Sequence, residues 1–340
     1  MIGYIPYAAA RQTQAAQLGD AAERLAVLVQ DWRAEGALTG PGPMFVGIGA
    51  SLAAACAPVW SLRRRGIEAW RMSAGDFPLP LPHSAHPVIG ISQSGRSTET
   101  LAALESVSRE LRFAVVNAVP SPVSAAAQRT LGLGSIPDSY ASTIGFTATV
   151  VALGMIADAW DAGEIDPAWS ALPGHLHALD AQLAARADEL AACFEGAVWA
   201  DFVGSGPSVG SAEAGALLFR EVARIPSSSL STRTYLHGSM ESASPAGAHV
   251  LFGSDRELEV ARMLRAAGNR VIFVTGDDVD DRDGIVVIRL PKLPPGPRAV
   301  LEAVAMQSLV GSVARARAID VEEFVFFHDD TKVQPTEESR

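Results

Sequence analysis

Phe202-Val203-Gly204-Ser205-Gly206-Pro207-Ser208 is a short apolar run broken by glycine and serine and followed by a helical stretch. Val46-Gly47-Ile48-Gly49-Ala50-Ser51 reads the same way. Each has the form of a buried strand feeding a helix through a glycine turn. Ser208 follows Ser51 by 157 positions. Two further pairs keep nearly that spacing: Val250-Leu251-Phe252 follows Val88-Ile89-Gly90 by 162, and Arg270-Val271-Ile272 follows Arg112-Phe113-Ala114 by 158. Three motifs in one order at nearly one offset predict two copies of a single unit. Apolar runs at 88–91 and 113–116 enclose a helical pattern at 101–111. The unit is therefore α/β, an alternation of strand and helix that builds a parallel sheet covered on both faces.

Residues 13–35 predict an amphipathic helix ahead of the first copy, with Leu18, Ala22, Leu25, Leu28, Val29 and Trp32 near helical spacing, ended by Gly40-Pro41-Gly42-Pro43. An Ala- and Leu-rich helix from about His175 to Cys193 joins the copies. The 340 residues fit two domains, and 48% hydrophobic against 19% charged residues exclude a disordered chain. A net charge of −11 argues against a nucleic-acid partner, which needs a basic stripe. An anionic ligand must then be held locally, by backbone N–H groups or a few placed cations. Cys56 and Cys193 sit in apolar stretches and read as small buried hydrophobes, giving neither a disulfide framework nor a metal set. Met1 to Ala10 lacks the pattern of a signal peptide, and no uninterrupted apolar run reaches the ~20 residues of a membrane span. The expectation is a cytoplasmic protein with no membrane partner.

The segment Ile91-Ser92-Gln93-Ser94-Gly95-Arg96-Ser97-Thr98-Glu99-Thr100 follows a strand pattern and opens a helix. Its hydroxyls and amides converge at a helix N-terminus, where the dipole favours an anion, as in a phosphate cradle built without lysine. Ser51 at the preceding strand end and Ser142-Thr143 before the next long helix share that rim and complete the set. The alternative for each serine is an ordinary turn or helix cap. Gly47-Ile48-Gly49 lacks the third glycine and the acidic partner of a dinucleotide fingerprint, and no Gly-Lys-Ser/Thr run marks a nucleotide loop.

Ser92-Gln93-Ser94-Gly95, the tandem halves and Gly215-Ala216-Leu217-Leu218-Phe219-Arg220-Glu221 resemble the sugar isomerase (SIS) domains of the isomerase half of glucosamine-6-phosphate synthase and its stand-alone relatives. The resemblance implies two tandem flavodoxin-like SIS domains, each a parallel sheet flanked by helices. It divides the chain into an N-terminal helix and first SIS domain at 1–165, a linker helix at 166–196, a second SIS domain at 197–320 and a C-terminal tail over the active site at 321–340. In that family a glutamate after the Gly-Ala-Leu helix shuttles a proton between C1 and C2, and a histidine sixteen residues later, in a His-Gly pair, assists ring opening. Glu221 and His237-Gly238 stand at those places. The chemistry accepts the same pair, since moving a hydrogen between adjacent sugar carbons needs a carboxylate base and a second acid/base on the ring oxygen. The resemblance also places Lys332 in the tail as the amine that forms a Schiff base with the open-chain carbonyl. Of 27 basic residues only Lys292 and Lys332 are lysines. The sequence departs from the synthase pattern at several places: Ile144 replaces a lysine near the phosphate site, 324–330 replace the usual Pro-Arg before the tail lysine with an insertion of three residues, and the Glu-Gln-Pro run typical near the N-terminus is absent.

The expected catalytic set is thus Glu221, His237 and Lys332, and the phosphate and substrate set is Ser51, Ser92, Gln93, Ser94, Gly95, Ser97, Ser142 and Thr143. The implied activity is isomerisation with deamination of an amino sugar 6-phosphate, such as glucosamine 6-phosphate to fructose 6-phosphate and ammonia. Deglycation of a fructosamine phosphate is the alternative, and a non-catalytic sugar-phosphate sensor, needing the serines but no placed base, is another. Met1 is not followed by the cysteine a glutaminase domain needs, so glutamine-dependent synthesis by this chain is not expected. No metal or organic cofactor is implied. The partners expected are a sugar phosphate and a second copy of the chain, in a homodimer with shared active sites.

Overall fold

The computed structural model describes residues 3–76, 84–326 and 331–333. In the first half α1 (Tyr7–Ala34) leads to β1 (Met44–Gly47), α2 (Ala50–Ala54), α3 (Cys56–Arg64) and β2 (Trp70–Ser73). Next come β3 (Val88–Ser92), α4 (Thr98–Glu105), β4 (Arg112–Val116), α5 (Pro122–Ala126), β5 (Arg129–Gly132) and α6 (Ile144–Ala159). Two helices, α7 (Leu172–Ala185) and α8 (Ala187–Ala192), precede the second half. That half runs β6 (Trp199–Gly204), α9 (Val209–Glu221), β7 (Ser227–Ser231), α10 (Thr232–Leu236), β8 (Gly247–Phe252), α11 (Asp255–Ala266), β9 (Arg270–Thr275), β10 (Ile285–Arg289) and α12 (Pro295–Ala316).

Both five-stranded sheets are parallel, and their strand orders coincide: β2-β1-β3-β4-β5 in the first and β7-β6-β8-β9-β10 in the second. This is the doubly wound order of flavodoxin-like sheets, in which ligands gather outside the carboxyl ends of the strands. The predicted α/β class with two sheets is the observed fold. The motif pairs read from the sequence occupy equivalent places, β1 with β6, β3 with β8 and β4 with β9. Val88–Ser92 and Gly247–Phe252 are buried at every position, which is why their cores, 88–91 and 250–252, read as unbroken runs and not as an alternation.

The core is continuous between the halves and is built around α6 and α12. Every residue of α6 is buried except Phe146 and Asp158. A helix covered on all sides has no polar face to keep, so its sequence is apolar all round. The stretches Ile144–Ala162 and Pro295–Ala316 are long and apolar enough to cross a membrane, and most of each lies inside the protein. Three elements differ in extent from the sequence reading. The first helix starts at Tyr7, whose N–H is capped by Glu322 from the far end of the chain at 2.6 Å. The joining helix is two helices, parted at Arg186, whose guanidinium reaches Asp281 at 2.7 Å and the Val287 carbonyl at 2.6 Å. The helix expected over 101–111 stops at Glu105, and a short turn of tighter helix at Arg109–Leu111 follows.

Candidate active site

β3 ends at Ser92 and α4 begins at Thr98, so the residues between them turn at the carboxyl end of the central strand. Gly95 has φ +66°, and a Cβ there would lie 2.1 Å from Ser121 Oγ, so the turn needs glycine. Ser92 Oγ accepts from the Ser97 N–H at 3.4 Å, and Ser94 Oγ accepts from the Arg96 N–H at 3.3 Å. Ser97 caps α4, accepting from the Thr100 N–H at 3.4 Å, and it donates its hydroxyl to Glu99 at 3.1 Å. Ser51 lies in the first turn of α2, at the end of β1, the strand paired with β3.

Gln93, Ser142 and Thr143 do converge, but on a carboxylate of the protein itself. Asp138 accepts from Gln93 Nε2 at 3.0 Å, Ser142 Oγ at 2.8 Å and Thr143 Oγ1 at 2.6 Å. It also accepts from the N–H groups of Ser139, Thr143, Ile144 and Gly145, the last at 2.9 Å. The side chain is almost wholly buried, and it supplies the negative charge that the N-terminus of α6 favours. A Cβ on Gly145 would lie 2.2 Å from Gln93 Nε2, so this close approach depends on glycine. The Thr143 hydroxyl is buried and committed to Asp138, so it helps to organise the loop. Ser142 and Gln93 also donate inward, though both stay partly exposed. Sequence reading missed Asp138. Its one signal is an acid shortly before Ser142-Thr143 and a long apolar helix.

Glu221 is the last residue of α9 and lies where the two halves meet. One small cavity, about 40 Å³, places it with Ala50, Ser142, Phe146, Leu217 and Gln307 on the side of the first sheet. On its other side a cleft of about 480 Å³ is walled by Arg220, Arg224 and Phe324 to Phe326. Among the described residues no hydrogen bond reaches its carboxylate. The residue keeps exposed surface at the cleft, yet the protein crowded round its carboxyl desolvates the charge and raises the pKa from 4.5 to about 7. A carboxyl poised near neutrality can both take and return a proton.

The tail passes over this region. Leaving α12, it sets Glu322 against Tyr4 Oη at 2.7 Å and the Tyr7 N–H, and stacks Phe324 edge-on to Tyr140 at 6.2 Å. Residues 325 and 326 continue along the Glu221 cleft. Residues 327–330, part of the stretch that departs from the synthase pattern, lie outside the described residues, as do 334–340. At 331–333 the chain lies against the serine loop: the Thr98 N–H donates to Thr331 O at 3.3 Å, and the Val333 N–H donates to Arg96 O at 2.8 Å. Lys332 is thereby placed opposite Ser97.

His237 ends α10, next to Gly238 at φ +127°, and is exposed. It lines neither cavity that Glu221 faces. The loop it sits on is anchored from below, since Tyr235 Oη lies 3.1 Å from Nδ1 of His249, a buried histidine whose pKa burial lowers. The second half has no equivalent of the serine cradle. Ser208, the counterpart of Ser51, donates to Glu302 at 2.7 Å, and Ser211 donates to its other oxygen at 2.5 Å. The counterpart of the serine loop carries Ser254 and Glu257, which close on each other as a capping box.

Neither a family model nor a curated protein matches the sequence. Solved structures do match the fold. The C-terminal domain of glucosamine-fructose-6-phosphate aminotransferase from Francisella tularensis superposes with a TM-score of 0.76 at 18% identity, over 94% of this chain and 98% of that one. Tagatose-6-phosphate ketose/aldose isomerase from Escherichia coli gives 0.74 at 16% identity, over 94% and 97%. Glucosamine-6-phosphate deaminase from Thermotoga maritima gives 0.69 at 17% identity, over 92% and 97%. Over nearly its whole length, the chain has the two-sheet α/β fold of these phosphosugar proteins.

Proposed function

We propose that the chain is a phosphosugar isomerase that moves a proton between C1 and C2 of an open-chain amino sugar 6-phosphate and so releases the amine. Deamination of glucosamine 6-phosphate is the simplest case. The observation that carries this reading is the place of Glu221, between the rim of the first sheet and a cleft bordered by the tail, with no hydrogen bond to its carboxylate among the described residues and its pKa pushed up to about 7 by the protein around it. The structures named above, whose own names specify sugar 6-phosphates, support the same substrate class.

In this account the turn from Ser92 to Ser97 and the first amides of α4 hold the phosphate, with Ser51 beside them. Ionised Glu221 takes the proton from C2 of the aldehyde form and returns it to C1, while a proton passes from the amine to the C1 oxygen. That leaves an imine at C2. Water adds to it, its oxygen becomes the C2 carbonyl, and ammonia leaves. Lys332, brought to the loop by the tail, supplies an amine that adds to the C1 carbonyl with loss of water as the ring opens; water then hydrolyses this imine, returning the free amine and the aldehyde before Glu221 acts at C2. His237 acts on the ring oxygen from a second copy of the chain, a role its exposed place away from Glu221 suits. The account needs only side-chain acids, bases and water.

The test is to assay ammonia and ketose together across phosphorylated and free amino sugars. Equal amounts of both, from phosphorylated sugars alone, are expected. Tight phosphosugar binding with no turnover of any member would replace the enzyme with a sensor.

A further inference from the structure

One face of α9 joins Glu221 to the first half. Gly210, Glu213, Leu217 and Glu221 follow one another at spacings of 3, 4 and 4, which sets them in a single stripe along the helix. The stripe lies against the turn and helix that carry Ser51. Gly210 approaches α2 and α3 so closely that a Cβ on it would lie 2.6 Å from the Cβ of Cys56. Leu217 comes over Gly49, where an added Cβ would sit 3.6 Å from Leu217 Cδ2. Glu221 shares its small cavity with Ala50 and Ser142.

Contacts with glycine and alanine hold a helix close without fixing how far it slides or turns. Glu213 supplies the directional contact. Its carboxylate takes both terminal nitrogens of Arg71, Nη2 at 2.7 Å and Nη1 on the other oxygen, and Arg71 Nη1 also donates to Leu52 O at 3.3 Å. Arg71 stands on β2, the strand beside β1. One guanidinium therefore ties together β2, the α2 helix of Ser51 and the α9 helix of Glu221. Fork-on-fork geometry fixes orientation as well as distance. The two side chains are 22% and 30% exposed, so the pair is screened less than one out in solvent. Glu213 precedes Glu221 by eight residues, roughly 12 Å along the axis, so a small tilt or slide at the pair is carried to the carboxyl.

We infer that Arg71 and Glu213 are positioning residues for the proton transfer: their pair holds α9 in the register that sets the Glu221 carboxylate against the reacting carbons of a sugar whose phosphate is anchored in the first half. The inference rests on the reading of Glu221 as the C1/C2 base and of the serine turn as the phosphate site. Anchor and base belong to different halves, so loosening the pair misaligns the reaction while the groups that hold the phosphate stay in place.

The test is steady-state turnover of glucosamine 6-phosphate by the full-length Glu213→Gln and Arg71→Lys proteins, beside calorimetric titration with glucitol 6-phosphate, a phosphorylated polyol with no carbonyl to react. Glu213→Gln leaves Arg71 on Leu52 O, and Arg71→Lys keeps the charge but loses the fork. Each is expected to lower kcat by ~10- to 10²-fold, the range for a reacting group displaced by up to about 1 Å, with polyol affinity within about twofold of wild type. Exchanging the pair, Arg71→Glu with Glu213→Arg, should recover part of the lost kcat, since the two side chains then span the same gap in reverse. The single variants decide the matter if the exchanged protein does not fold. A kcat within about twofold of wild type in both, a fall in kcat matched by an equal loss of polyol affinity, or no recovery in a folded exchanged protein would overturn the positioning role and leave the isomerase reading intact. Polyol binding without turnover by the wild type would overturn the isomerase reading, and the positioning role with it.

Discussion

Lys332 faces Ser97 across an antiparallel bridge, fixed by the Val333 N–H on the Arg96 carbonyl at 2.8 Å and by Arg96 Nε on the Val333 carbonyl at 2.6 Å. Arg96 and Val333 are 237 positions apart, yet the tail closes on the serine loop as a short strand. If the Lys332 amine attacks the open-chain carbonyl, borohydride added with glucosamine 6-phosphate traps an adduct on that residue, found by peptide mass spectrometry. Trapping elsewhere, or none, removes the Schiff base and leaves the proton transfer at Glu221 standing.

Glu221 gives two opposite pH dependences. As a base it must be ionised, so kcat/KM should rise through a limb near pH 7. Stability runs the other way. Between 4.5 and about 7 the folded chain keeps a proton that the unfolded chain has lost, so stability falls as pH rises through that window. Glu221→Gln should remove this component. Thermal melts at pH 5 and pH 7.5 that change equally in wild type and variant would contradict a desolvated carboxyl.

Asp138 accepts from three side chains and the first amides of α6, which an asparagine cannot do with its N–H₂ end. Asp138→Asn should cost about 3 kcal/mol of stability, the range for lost hydrogen bonds to a buried charge. It should also raise KM for the sugar phosphate, by loosening Gln93 in the binding turn. Urea unfolding and initial rates measure both. An unchanged midpoint would show that these bonds carry no net stability.

The repeat was legible because β1, β3, β6 and β8 are buried central strands whose apolar runs stand out. β7 was not, because Ser227-Ser228-Ser229-Leu230-Ser231 is an edge strand with mostly unburied side chains and no apolar face to betray it. The serine turn was legible as a helix-opening loop. That Gln93, Ser142 and Thr143 turn inward was not, since that depends on Asp138, an isolated acid whose backbone is bonded to the Gly3 to Ile5 segment. The pairing of 331–333 with the segment from Arg96 through Thr98 was not legible, because a single lysine in a polar tail carries no periodicity.

His237 lies apart from the Glu221 cavities within one chain. If a second copy supplies it, mixing Glu221→Ala and His237→Ala proteins under conditions of subunit exchange restores activity by pairing the two intact groups at one site. Two inactive variants that stay inactive after verified exchange would place the whole site in one chain.

The most direct measurement is proton NMR of glucosamine 6-phosphate in D₂O with wild-type protein and with Glu221→Gln. The wild type should form ketose and ammonia and incorporate solvent deuterium at C1, the carbon that receives the proton. Glu221→Gln should slow this by ~10²–10⁴ in kcat with KM nearly unchanged. Undiminished turnover and deuterium incorporation by Glu221→Gln would contradict the proton shuttle on which the account depends.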